Sequence, residues 1–400
     1  MLEAPMLESL PEKLCRITGI GQSEVGRPSP KSAIELTIDA ATMAIADAGL
    51  RIADIDGVVN YPPKTHEGGG ISPVSVLEAS FALGIDAKWN GVANHEGPGH
   101  MGAIFAAVMA VAAGLCRHVL VFRTVAQAQA RVKSRDSSLL LGSEARVTGN
   151  NAYTVPFHAV SPVNVWALYA QAYFDRYGAG PEQLGWVAVN ARRNAAHNPN
   201  AIYKAPLTIE DYLASRMIST PLRLYDCDTH IDGSTALVIS HRDAARDSPN
   251  PPIHIEAMGM ALGGLGQGIF TGDFTSLPAT RAGDMLWQRT DLKPRDVSCA
   301  QIYDGFSIHT WLWGEAMQLF GKGEAASFMD GGTRIAIDGE LPINTGGGQL
   351  SGGRFHGYGH TYEACVQLWG RGGGRQVKDA KVSVVCNGGY GYGALLLRTD

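Results

Sequence analysis

The stretch Asn344-Thr345-Gly346-Gly347-Gly348-Gln349-Leu350-Ser351-Gly352-Gly353-Arg354-Phe355-His356-Gly357-Tyr358-Gly359-His360 decides how this chain is read. Seven of its seventeen residues are glycine. Glycine at this density costs backbone entropy, so it must serve tight turning or a close approach of the backbone to something. Turn chemistry alone would make it a long surface loop. Its polar cargo argues for more, because Arg354, His356, Tyr358 and His360 stand among the glycines just ahead of a helix-like run, Thr361–Trp369. A helix N-terminus is where anions and developing oxyanions are stabilised. The expectation is an active-site loop.

The rest of the composition suits an enzyme. Four hundred residues are enough for two or three domain-sized cores. A formal net charge of −5 with no basic stripe gives no reason to expect nucleic acid as a partner. The 49 glycines and 45% hydrophobic residues fit a tightly packed α/β enzyme better than a disordered or fibrous chain. Met1–Leu14 carries Glu3, Glu8 and Glu12 and no long apolar core, unlike a signal peptide. The longest apolar run, Met101–Leu115, falls short of the roughly eighteen residues of a membrane span and reads as a fully buried central helix. Six cysteines without a CxxC pair argue against a disulfide framework or a zinc site, and for a reducing cytoplasm.

Along the chain, Cys15–Gly21 alternates like a short buried strand, Ser32–Leu50 has helical spacing, and Val58–Tyr61 reads as a strand. Val76–Leu83 and Met101–Leu115 read as helices, with Val119–Phe122 a buried strand after them. This alternation predicts a largely parallel sheet covered on both faces. Residues 124–215 change character, with polar loop material followed by helical Pro162–Tyr177 and Pro181–Asn194, and read as an insertion over the sheet. A strand over Thr235–Ser240 and a hinge at Pro249-Asn250-Pro251-Pro252 follow. The second half then repeats the first. Leu50, Asp54-Ile55 and Tyr61 match Leu292, Asp296-Val297 and Tyr303 at one constant offset, and Gly97-Pro98-Gly99-His100 matches Gly357-Tyr358-Gly359-His360. Two matches in order, each at the same place in its unit, indicate a duplicated half-fold.

These residues, with Gly19-Ile20-Gly21-Gln22-Ser23-Glu24, Ala48-Gly49-Leu50, Pro221–Cys227 with Asp232-Gly233, and Cys386-Asn387-Gly388-Gly389, resemble the thiolase superfamily over essentially the whole chain. The closest likeness is to the thiolase-like lipid-transfer branch, and within it to steroid side-chain-cleaving aldolases. The resemblance implies an α/β thiolase fold: two βαβαβαββ halves related by a pseudo-twofold, in five layers, here with an inserted loop domain. The halves would be 1–250, containing the insertion, and 251–400. It also implies a CoA-thioester substrate, a homodimer, and a small zinc-ribbon/OB-fold partner completing a heterotetramer. Any zinc would belong to that partner, and no cofactor is expected in this chain.

The chain departs from the family where a condensing enzyme keeps its catalytic groups. The loop Asn94–His100, where thiolases carry a nucleophilic cysteine, contains no cysteine, serine or threonine. The family's GHPxG turn becomes Gly353-Arg354-Phe355-His356-Gly357, and its strand-end His-Asp or His-Glu pair reads Tyr303-Asp304. Only Cys386 matches a thiolase catalytic residue. The resemblance therefore points to a retro-aldol cleavage of a β-hydroxyacyl-CoA, with Tyr303 and Tyr358 as proton-transfer groups. His356, Asp304 and Cys386 complete the candidate catalytic set, with Arg354 as a local cation. Backbone N–H groups of Gly97, Gly99, Gly388 and Gly389 are candidates for an oxyanion hole. Lys322 and Lys378 lie in polar surroundings that do not suit a desolvated amine. Other readings stay open here: either tyrosine as packing, Cys386 as a buried thiol, and Asp304 and Arg354 paired with each other or with neighbours. An acyltransferase using Cys386 alone and a non-catalytic lipid carrier also remain. Which tyrosine is base and which is acid is not settled by sequence.

Overall fold

Each half opens on a strand whose glycines let a helix press against its backbone. Strand β1 (Cys15–Gln22) carries Gly19 and Gly21, and a Cβ there would stand 2.2 Å from Ala44 O and 2.0 Å from Ala40 O of the helix Ala33–Asp47. Strand β8 (Ile253–Leu262) uses the same device: a Cβ on Gly259 would lie 1.9 Å from Ala282 O of the helix Ala279–Trp287. The computed structural model describes residues 7–61, 70–93, 101–133, 151–263, 271–389 and 391–400. The repeated Leu-x₃-Asp segments also fold alike. Single turns at Ile52–Asp54 and Pro294–Asp296 are each closed by their aspartate on a backbone N–H 2.8 Å away. Each then feeds a fully buried four-residue strand, β2 (Gly57–Asn60) and β9 (Cys299–Ile302).

The other strands are β3 (Trp89–Val92), β4 (His118–Ala126), β7 (Asp232–His241), β10 (Val382–Gly388) and β11 (Gly391–Arg398), with a small ribbon of β5 (Met217–Ser219) and β6 (Leu222–Arg223). The sheet order is β3-β2-β4-β7-β1-β8-β11-β10-β9. Outward from the centre, β1-β7-β4-β2 of the first half corresponds to β8-β11-β10-β9 of the second. Within the sheet, β1 and β8 join the halves at two residue pairs, Arg16 with His254 and Ile17 with Ile253.

The expectation of a largely parallel sheet fails. Only β2–β3, β2–β4 and β9–β10 are parallel; the other neighbours are antiparallel. The cause is where the chain leaves the sheet. After β4 the chain runs through the insertion and returns beside its own exit, with Ala126 opposite Asp232, so β7 must run backwards. After β10 a tight turn does the same for β11, with Gly388 opposite Tyr392.

The helix expected over Met101–Leu115 ends at Ala112, and Met109 and Leu115 are exposed, so its last turn and one outer position reach solvent. Its buried face joins the helix Tyr358–Leu368 in one core with side chains from both halves' strands, among them Val121, Leu237, Val385 and Leu395. A second core lies under the helices Ala33–Asp47 and Val76–Leu83. A third, the largest, joins the insertion helices Pro162–Tyr177 and Pro181–Ala195 to the second half. No helix among the described residues is long and apolar enough to cross a membrane. All six cysteines are unpaired.

Candidate active site

The glycine loop is pinned to the end of β9 by two residues. Asn344, in the left-handed region at φ 51°, accepts from Ile302 N at 2.7 Å through Oδ1 and donates through Nδ2 to Ile302 O at 2.8 Å. One side chain thus extends to Ile302 the backbone pairing that residues 342–344 make with Ala300 on the outer side of this buried strand. Asp304, fully buried, gathers the far side of the loop: its Oδ1 accepts from Gln349 N at 2.8 Å and lies 3.0 Å from His360 Nε2. Glycine is required opposite it, since a Cβ on Gly348 (φ 56°) would come within 2.0 Å of Asp304 Oδ2. Gln349 in turn accepts from His356 N at 2.7 Å. Asp304 therefore frames the loop, and it does not pair with Arg354.

Tyr303 leaves β9 with its N–H donating to Cys386 O at 3.0 Å. Its ring lies 5.2 Å from that of His309. Trp166, from the insertion helix, packs edge-on over His309 at 3.9 Å, so the insertion roofs this part of the site. Burial pushes His309 down to about 3, and its Nδ1 accepts from Phe306 N at 3.1 Å, so the imidazole is neutral. Arg354 donates through Nε to Asp228 at 2.8 Å and lies 3.2 Å from His230 Nε2 through Nη1. Burial raises Asp228 to about 6 against the pull of Arg354. It lowers His230 to about 3, helped by the charges of Arg354, Arg131 and Arg27. Tyr303 is raised above the usual phenol range by burial first and by Asp228 second, with Arg354 opposing.

Tyr358 sits in the first turn of the helix Tyr358–Leu368, not on the loop before it, because the helix starts three residues earlier than the sequence pattern suggested. Gly357 (φ 88°) makes this start possible: a Cβ there would strike Asn387 Nδ2 at 1.8 Å. The Tyr358 side chain is fully buried, and its hydroxyl has no hydrogen-bond partner among the described residues. Facing it is Arg123 of β4, 1% exposed, with its guanidinium 4.0 Å over the Tyr61 ring. Arg123 Nη2 donates to His356 Nδ1 at 2.8 Å, which leaves the His356 proton on Nε2. Burial raises the Tyr358 phenol above the usual range, with Arg123 opposing that rise in part.

Cys386 is fully buried in β10 between Ile302 and Ala394, where burial alone raises its thiol beyond the ordinary range. Gly388 closes the turn into β11 at φ 139°, with Gly391 O where a Cβ would be, and Gly389 lies beside Trp166. Gly97 and Gly99 lie outside the described residues. Lys322 and Lys378 are exposed. Among the described residues no group of three or more His, Cys, Asp or Glu is arranged to hold a metal ion. Sequence reasoning missed Arg123, Tyr61, Asp228, His230 and His309. Arg123 had a readable signal, a lone charge inside an otherwise apolar strand, and Tyr61 was visible as the repeat partner of Tyr303.

The chain is 32% identical over 392 residues to the steroid side-chain-cleaving aldolase of Thermomonospora curvata, covering 96% of this chain and 97% of that one. It belongs to the steroid side-chain-cleaving aldolase branch of the thiolase superfamily. Within this branch, it is also 32% identical over 368 residues to the 17-hydroxy-3-oxo-4-pregnene-20-carboxyl-CoA lyase of Mycobacterium tuberculosis, covering 88% of this chain and 91% of the relative. Residues 269–395 match the thiolase C-terminal domain-like family. A solved structure of an Ltp2-ChsH2(DUF35) aldolase superposes with a TM-score of 0.85 at 31% identity, over 97% of this chain and 98% of that one.

Proposed function

We propose that this chain is a carbon–carbon lyase that cleaves a steroid-derived β-hydroxyacyl-CoA by a retro-aldol reaction, releasing a ketone and a shorter acyl-CoA. The observation that carries the reading is the pair of buried tyrosines, Tyr303 and Tyr358, gathered where a condensing enzyme would need a nucleophile and histidines. The aldolase and lyase relatives support the same reaction class. In the reaction a base takes the β-hydroxyl proton and the electrons of the Cα–Cβ bond move onto the thioester as an enolate. The carbonyl forms at the former alcohol carbon, and an acid returns a proton to Cα. Tyr303 and Tyr358 serve these two proton transfers. Backbone N–H groups about Gly388 and Gly389 are the proposed donors to the enolate oxygen, each worth about 3–4 kcal/mol if well aimed. His356 and Arg354 position the tyrosines, and Asp304 fixes the loop. Cys386 is assigned to packing, since burial with no cationic neighbour suppresses its thiolate.

The corresponding strand orders and the three cores favour the full five-layer, pseudo-twofold reading of the fold. By analogy with the Ltp2-ChsH2(DUF35) aldolase, an OB-fold subunit pairs with each chain of a homodimer, and any zinc resides in that partner. The test is to incubate the chain, alone and with such a partner, with a β-hydroxyacyl-CoA, and to follow ketone and acyl-CoA by mass spectrometry. Ketone release in either case supports the proposal. Thiolysis products without ketone would replace it with an acyltransferase, and no turnover of any thioester would leave a carrier or scaffold.

A further inference from the structure

We infer that Arg123 is the positioning cation of this site, the charge that lets Tyr358 carry the proton in cleavage. The inference rests on the reading above that Tyr358 transfers a proton. Arg123 lies in mid-β4, opposite Thr235 of β7, with Phe122 and Thr124 buried on either side. A fully buried guanidinium is costly unless it is paired or used. No carboxylate among the described residues pairs with it: the ion pairs of the buried site are His360–Asp304 and Arg354–Asp228. Among the described residues its Nε and Nη1 have no hydrogen-bond partner, and neither has the Tyr358 hydroxyl. For holding the fold, an apolar residue of similar volume would do as well or better.

The groups that face the pair give the charge a direction. Around Arg123 stand Tyr61, Tyr358, Tyr303, the neutral His356 and the like-charged Arg354. Burial brings Arg123 down to about 10, so it remains a cation at neutral pH. Around Tyr358, burial opposes the phenolate most, Arg123 favours it, and Tyr61 opposes it more weakly. His356 accepts from Arg123 and so adds no competing positive charge. The arginine stabilises the negative oxygen left when Tyr358 gives up its proton, and with it Tyr358 is the base and Tyr303 the acid.

Arg123→Met and Arg123→Lys, each with and without Tyr358→Phe, test this on the full chain with its partner. The 295 nm absorbance difference between each protein and its Tyr358→Phe counterpart reads the ionisation of Tyr358 independently of turnover. In Arg123→Met that titration is expected to move up by about one to two pH units. The kcat should fall about 10²-fold with KM little changed. Arg123→Lys should recover at least part of both. An unshifted Tyr358 titration in Arg123→Met would overturn the inference, even if Tyr358→Phe is inactive. Loss of the folded circular dichroism spectrum in both Arg123 variants would also overturn it, by assigning the residue to structure. Full activity in Tyr358→Phe would instead sink the catalytic reading, while the absorbance titration would still decide whether Arg123 sets the phenol.

Discussion

Tyr303 and Tyr358 are one kind of side chain held in two electrostatic settings. Burial raises the ionisation of both. Around Tyr303 the charges are already compensated: Arg354 is held by Asp228, and Asp304 by His360 and loop N–H groups. The nearest effect on that phenol after burial is a carboxylate, which keeps it protonated. Around Tyr358 the single charge among the described residues is Arg123, with which no described carboxylate pairs. Identical phenols are therefore driven toward opposite proton-transfer roles by their neighbours alone.

The comparison can be broken most directly at the tyrosines. Tyr358→Phe is expected to lose about 10³–10⁴-fold in kcat, with Tm essentially unchanged because the hydroxyl it removes is buried and has no partner among the described residues. Tyr303→Phe should lose about 10²–10³-fold. Ketone release and thermal unfolding check both, and equal, small losses would erase the distinction. Gly348→Ala comes next: a Cβ at φ 56° meets Asp304 Oδ2, so the frame shared by both tyrosines should give way at a cost of about 1–3 kcal/mol, read by denaturant unfolding.

Asp228→Asn sharpens the Tyr303 side through pH. Asp228 ionises as pH rises through about 6, and only then is Arg354 held by a full ion pair. Activity should climb through that pH in the wild type, and the Asn variant should lose the limb and about tenfold in rate at neutral pH. The stability sign runs opposite. An acid whose folded value lies above its unfolded one contributes stability that is complete below about pH 4 and lost as pH passes about 6. The Tm of Asp228→Asn should therefore improve relative to wild type between those limits. Cys386→Ala is the smallest change, a few-fold in kcat and about 1 kcal/mol of stability, because its thiol is packed among apolar neighbours. Complete loss of ketone release there would return catalysis to the cysteine.

Much of the frame was legible because it is local or repeated. The turns at Asp54 and Asp296, the strands behind them, and the tyrosines that follow are fixed by residues within a few positions of one another. Strand direction was not legible, since it depends on whether the insertion returns to the end of the sheet it left. The start of the helix at Tyr358 was missed because it depends on Asn387 filling the space beside Gly357. The part Asp304 plays in framing the loop was not legible either, because a carboxylate after a strand looks the same whether it faces substrate or a loop's N–H groups.

By itself the sequence determined the repeated segments, the glycine loop and the lack of cysteine, serine or threonine in Asn94–His100, all of which are matters of residue type and spacing. Tertiary structure alone decided the pairing of charges. Arg123 meets His356, and Arg354 meets Asp228, across hundreds or more than a hundred residues of chain. A charge takes its energy from burial and from what stands within a few ångströms, and neither quantity exists until the two halves close on each other.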